Sequence, residues 1–220
     1  MFARRFFRDR LEAGQVLAKR LKPLVTGSNA VVLALPRGGV AVGFEVAQAL
    51  HVDLDIFLVR KLGVPGREEF AMGAIASGGV QVLNHDIIRQ LGLAPHVIDR
   101  VVAREQQEIE RRERVYREGR PPLEVESRTV ILVDDGLATG ASMLAAAQAL
   151  RAKRPKRIIV AVPVASRRAC LAFQQHVDQT VCAETPEPFS SVGEWYEDFS
   201  QTSDAEVKEL LRRAAQERVT

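Results

Sequence analysis

The stretch VILVDDGLATGAS, Val130 to Ser142, decides how this chain is read. Four apolar residues run into two adjacent carboxylates, Asp134 and Asp135, and then into a loop of small and hydroxyl-bearing residues. An unbroken apolar run of this kind reads as a strand buried on both faces. In an open parallel sheet, ligands bind beyond the carboxyl ends of the strands. Two unpartnered charges are costly to bury, so the acids are expected to face a crevice. The loop leads into a helical pattern, and backbone N–H groups at the positive end of a helix dipole hold a phosphate. Thr139 and Ser142 add hydroxyl donors. Paired carboxylates accept hydrogen bonds from a cis-diol, and they stabilise positive charge on a sugar ring whose anomeric bond is breaking. A ribose 5-phosphate answers both halves of the stretch.

Outward from this segment the chain alternates strands with helices. Apolar runs at Ala30–Pro36, Leu54–Arg60, Thr129–Asp135, Arg157–Ala165 and Asp178–Glu184 read as five strands. Helical spacing follows the first at GVAVGFEVAQALH, the third at GASMLAAAQALRAKR and the fourth at SRRACLAFQQH. The pattern predicts an α/β, doubly wound (Rossmann-like) core with a central parallel five-stranded sheet. FAMGAIASGGVQVLN interrupts it as a hairpin turning at Ser77-Gly78-Gly79, and residues 84–120 read as two helices. The N-terminal stretch MFARRFFRDRLEAGQVLAKRLKPL reads as an amphipathic helix packed on the core rather than a secretory signal. Near the C-terminus, Ser203 and Glu206 form a capping-box start to a last helix. One domain over residues 1–220 is expected, with a core of approximately 24–67 and 127–184. A small hood subdomain, or insertion, takes up approximately 68–126 and 185–220.

The 220 residues carry a formal net charge of +3, a mildly basic balance that suits an anionic small molecule as well as nucleic acid; the basic residues are not in one block, so a nucleic-acid partner is not the expectation. The most basic stretch, Arg104 to Arg120, alternates arginine with glutamate at helical spacing and reads as a solvated, salt-bridged face. No apolar run reaches the roughly 18 residues that cross a bilayer, so no membrane role is expected. Cys170 and Cys182 make no metal or redox spacing with each other or with His51, His85, His96 and His176. They read as unpaired core residues, which makes a reducing, cytoplasmic setting the expectation.

VILVDDGLATGAS resembles the 5-phosphoribosyl 1-pyrophosphate (PRPP) binding motif of the type I phosphoribosyltransferases. Ala141 stands where glycine is commoner in that family. The resemblance implies the type I phosphoribosyltransferase fold and transfer of a phosphoribosyl group to a nitrogenous base, a purine or related base, in nucleotide salvage. It implies that Asp134 and Asp135 hold the ribose hydroxyls and that Ala138, Thr139, Gly140, Ala141 and Ser142 hold the 5′-phosphate. LALPRGGVAVGF repeats the strand–loop–helix logic, with two glycines for close approach and the forked cation of Arg37. It resembles the family's pyrophosphate loop, which assigns Arg37, Gly38 and Gly39 to pyrophosphate and suggests a non-proline cis peptide at Arg37-Gly38.

Arg60-Lys61 resembles the Arg-Lys of the adenine and orotate enzymes. That likeness implies that Lys61 acts on the departing pyrophosphate and that a mobile lid lies within residues 62–72. The aromatic PEPFSSVGEWYEDF loosely resembles the hood segment of the hypoxanthine-guanine enzymes. It would set Phe189 on the base with Asp198 or Glu194 nearby, while Trp195 and Phe199 read as a satellite core. Magnesium is implied as cofactor, held mainly through PRPP with no dedicated protein cage. PRPP and a nucleobase-like acceptor are the implied partners, with a homodimer as default assembly. A regulator of the same fold, sensing PRPP or nucleotides without transferring anything, is the main alternative. A phosphosugar hydrolase or kinase-like enzyme is a further one.

Overall fold

The structure is a computed structural model and describes residues 7–25 and 29–217. In chain order the elements are α1 (Arg10–Leu21), β1 (Ala30–Ala34), α2 (Gly38–Leu50), β2 (Asp53–Ile56), β3 (Val59–Val64), β4 (Arg67–Ala76), β5 (Val80–Leu83), α3 (His85–Gln90), α4 (Pro95–Arg117), β6 (Thr129–Val133), α5 (Ala141–Ala152), β7 (Arg157–Val164), α6 (Arg167–Phe173), β8 (Gln179–Glu184) and α7 (Asp204–Glu217). The first six residues of the N-terminal stretch lie outside the described residues; the rest forms α1, capped by Asp9, whose carboxylate accepts from the Glu12 N–H at 2.8 Å.

Five strands make a parallel sheet in the order β2-β1-β6-β7-β8. The apolar runs are continuous because both faces are covered. Val31 and Leu33 of β1 and Val130 and Leu132 of β6 pack with residues of α5 and α6. Ala30, Val32, Ile131 and Val133 point the other way, into α1 and α2. From β1 the chain winds to β2 on one side, and from β6 it winds to β7 and β8 on the other. The crevice between the ends of β1 and β6 is therefore the topological switch point, where such sheets bind ligands. Both quoted loops, Leu35–Gly38 and Asp134–Gly140, open onto it.

A second, antiparallel sheet of β3-β4-β5 forms the hood, with the expected turn at Gly78 and Gly79. It corrects one expectation: Leu54–Arg60 is not a single strand. The Phe57 N–H still bonds the Ala34 carbonyl of the large sheet at 2.9 Å, whereas Leu58 exchanges bonds with Ser77 at the end of β4. Phe57 and Leu58 are both buried, but in different clusters, so an unbroken apolar run conceals the crossing between sheets. β3 accordingly pairs with the hood rather than with the core.

The cysteine expectation is also corrected: Cys170 and Cys182 are disulfide-bonded. They stand only 12 positions apart in sequence, and α6 folds straight back onto the neighbouring β8, so their Cα atoms lie 6.4 Å apart, within bridging range. This removes the cysteine-based ground for assuming a reducing compartment. Among the described residues no helix is long and apolar enough to cross a membrane.

Candidate phosphoribosyl site

The two loops meet at the switch point through their glycines. A Cβ on Gly38 would sit 1.9 Å from Oδ2 of Asp135, and one on Gly39 would sit 2.9 Å from Cα of Asp134. Only glycine allows the loop after β1 to lie this close to the carboxylate pair. Gly140 is required twice over: its φ is +76°, and a Cβ there would strike the Phe173 ring at 2.5 Å. A cis peptide is present, at Pro36-Arg37, one bond earlier than the family likeness suggests.

Asp134 and Asp135 are partly buried, more sheltered than the sequence reading expects. The reason is Arg10, 125 residues away on α1, whose Nε donates to Oδ2 of Asp135 at 2.8 Å. Arg10 is held in turn by the Ser200 carbonyl, at 2.7 Å, and by the Phe199 ring, 4.0 Å from its guanidinium carbon. The Tyr196 hydroxyl donates to the Asp135 carbonyl at 2.6 Å. No spacing in the sequence links Arg10 or Tyr196 to the acids. Among the described residues Asp134 accepts only the N–H of Asp135, at 2.8 Å, and burial and the adjacent carboxylate raise its pKa well above the ordinary value. Asp135 is also raised by burial, against the opposing pull of Arg10. The pair thus holds two carboxylates against one guanidinium.

Beside them α5 begins at Gly140 with no side-chain cap and no acid in its first turn. Its first amides are left to an outside acceptor, and Ala138, Thr139, Ala141 and Ser142 around them are exposed. A cleft of about 660 Å³ runs from Ala141 and Ser142 along α5 to the hood strands. Lys61, Asn84, His85, Asp86 and Gln148 give it polar walls, and Val59, Val82, Leu83 and Leu144 give it apolar ones. Sequence reasoning had no role for His85; only the fold of the hood brings it here.

The remaining expected residues are distributed less simply. Strand alternation sends Lys61 into the cleft and Arg60 away from it, onto the buried Glu105 of α4. Residues 62–72, the segment expected to carry the lid, form a hydrogen-bonded β-ribbon of β3 and β4 with Leu62 and Met72 buried. Arg37 leaves its backbone at the loop but turns its side chain toward α4 and α7, where it meets Asp204 at 3.7 Å. Phe189 stacks on Trp195, with ring centroids 6.4 Å apart, in the satellite cluster of Phe7, Val164 and Tyr196, and does not line the cleft. The base-stacking expectation placed on Phe189 therefore concerns a ring that has Trp195 as its aromatic neighbour here. Among the described residues no group of three or more His, Cys, Asp or Glu forms a metal cage.

Fold and site together define a class: a parallel α/β domain whose switch point joins a glycine loop, an acidic pair and an uncapped helix. The chain belongs to the phosphoribosyl transferase domain family, whose model matches residues 11–196. It is 44% identical over 210 residues to Rv0571c of Mycobacterium tuberculosis, which carries a provisional phosphoribosyl transferase name. That alignment takes in 96% of this chain but 47% of the relative, so the chain spans about half the length of the curated relatives it matches. It is similar to the crystal structure of TT1426 from Thermus thermophilus, with a TM-score of 0.83, 43% identity, and coverage of 94% of this chain and 98% of that one. The AQ2163 protein from Aquifex aeolicus shares the fold at a TM-score of 0.50 and 10% identity, covering 84% of this chain and 76% of that one.

Proposed function

We propose that the protein is a PRPP-dependent phosphoribosyltransferase acting on a nitrogenous base, a purine or related base, in nucleotide salvage. The observation that carries this reading is the meeting of Gly38 and Gly39 with Asp134 and Asp135 beside the uncapped start of α5. The 5′-phosphate would rest on the amides and hydroxyls of Ala138 to Ser142. Asp134 and Asp135 would accept from the ribose hydroxyls. The backbone of Arg37, Gly38 and Gly39 would hold pyrophosphate, and the acceptor would enter the cleft lined by Lys61.

In the reaction, the bond from the anomeric carbon to the pyrophosphate oxygen breaks with its electron pair leaving on pyrophosphate. A base nitrogen bonds the same carbon and gives up its proton. The carboxylates stabilise the positive charge that develops on the ring between these events, and Lys61 offsets charge on the leaving group. Magnesium fits this donor set, because two carboxylates against one guanidinium leave negative charge for a hard cation shared with phosphate oxygens. It would be held mainly through PRPP, with Asp134 and Asp135 as the nearby protein carboxylates, and when bound it would neutralise charge on the pyrophosphate.

Two features favour a second reading, a PRPP or nucleotide sensor without transferase activity: Arg10 already occupies Asp135, and the segment expected to hold the lid is a paired ribbon. Pyrophosphate release, measured with PRPP, magnesium and a panel of bases, separates the two. Base-dependent release supports transfer, and PRPP binding with no release from any base supports the sensor. In a thermal-shift assay the double substitution Asp134→Asn, Asp135→Asn should abolish stabilisation by PRPP; an undiminished shift would refute the ribose assignment.

A further inference from the structure

Arg37 ends in a pocket that the transfer reaction does not use. The pocket, about 210 Å³, is lined by Arg37, Arg111, Arg112, Val115, Tyr116 and Asp204, so the loop after β1, one face of α4 and the first residue of α7 converge on it. Its charges do not cancel. Glu108 serves both Arg111, at 2.8 and 3.0 Å, and Arg112, at 2.7 Å. Asp204 accepts the Tyr116 hydroxyl at 2.8 Å and stands 3.7 Å from Arg37, too far for a hydrogen bond. Three guanidiniums face two carboxylates. Among the described residues Arg112 bonds Glu108 through Nε only, and a guanidinium carries five donors. Burial and Asp204 push the Tyr116 hydroxyl up to about 12, so it remains a neutral donor.

We infer that this pocket binds a phosphate-type oxyanion, at a site distinct from the phosphoribosyl site. Forked guanidiniums on two separate elements match a tetrahedral dianion, and the volume is below the roughly 300 Å³ at which sites for larger organic ligands begin. The occupant is therefore a small inorganic phosphate or the terminal phosphate of a larger molecule whose body stays in solvent. An incoming dianion competes with Asp204 for Arg37, whose present contact is long. The helix face that reads in sequence as merely solvated thereby becomes one wall of a site. The inference does not depend on the transfer reaction.

The test is calorimetric titration of the full chain at low, constant ionic strength with inorganic phosphate and, separately, glycerol 3-phosphate. The double substitution Arg111→Gln, Arg112→Gln should weaken the phosphate event at least tenfold while the thermal shift with PRPP persists. Tighter binding of the ester than of inorganic phosphate identifies the larger source, and the reverse identifies the free ion; both need the Arg111 and Arg112 dependence. Equal isotherms in the two proteins, or no phosphate event in the wild type, would overturn the inference. So would parallel loss of phosphate and PRPP binding in a folded variant, because the pocket would then belong to the phosphoribosyl site. Arg111→Lys with Arg112→Lys, which keeps charge but not the fork, guards against misfolding and should weaken binding several-fold. An arginine-dependent phosphate event in a protein that ignores PRPP would leave this site standing while the transferase reading fell.

Discussion

Gly38 and Asp134 show at the scale of single residues how this site trades stability for binding. At Gly38 a methyl group would overlap the Asp135 carboxylate and press on Nε of Arg10. Gly38→Ala is expected to lower stability by about 1–3 kcal/mol in denaturant unfolding, as overpacking does, and to weaken PRPP binding by pushing the two loops apart. Asp134 works in the opposite sense. Its carboxyl titrates above the ordinary value of 3.8 because burial and Asp135 oppose its charge. A native pKa raised in this way contributes stability that is fully present below the unfolded value and is lost as pH rises through the native one. Asp134→Asn, which stays neutral, should therefore melt above the wild type at pH 8, by about 2–4 °C for each kcal/mol relieved. The gap should close as pH falls toward 4. The same variant should lose its thermal shift with PRPP. A variant no more stable than the wild type at pH 8 would mean that Arg10 already offsets the pair's repulsion.

At the scale of elements, the question is what holds the long helix α4 in place as a wall of the arginine pocket. Arg117, near its end, is buried on Asp55 of β2, with Nε–Oδ distances of 2.9 and 3.1 Å, and also donates to the Ile56 carbonyl at 3.0 Å. Asp55 accepts further N–H groups from Ile56, at 2.7 Å, and Leu123, at 3.0 Å. Removing one partner strands a buried charge, so Arg117→Met should cost about 3–5 kcal/mol in chemical unfolding. Adding Asp55→Asn should recover part of that loss, which a double-mutant cycle would measure. α4 was readable in sequence as a charged helix, but not the division of its arginines. Arg117 turns inward to β2, while Arg111 and Arg112 turn to the pocket. Glutamates at helical spacing accompany all of them, with Glu113 bonded to Arg117 and Glu108 to the others, so spacing alone cannot separate the roles.

At the scale of the whole molecule, two sheets of different character are joined. The central strands β1, β6 and β7 are almost wholly buried, whereas β5 and part of β3 are only half-covered. Hydrogen exchange should therefore be slowest in β1, β6 and β7, set by global unfolding, and faster in the hood ribbon through local opening. Equal protection of both sheets would show that hood and core open as one unit. By itself the sequence determined the five-stranded parallel core, the two loops at the ends of β1 and β6, the hairpin and the capped last helix. Each of these rests on local signals: apolar runs, glycine pairs and a cap residue act over a few neighbouring positions. Tertiary structure alone decided that Arg10 neutralises Asp135, that β3 leaves the core sheet, that Cys170 meets Cys182 and that Phe189 packs on Trp195. It also decided that Arg37 joins Arg111 and Arg112. Charges, thiols and rings interact across space with whatever the fold brings within a few ångströms, and that proximity is written nowhere in the spacing along the chain.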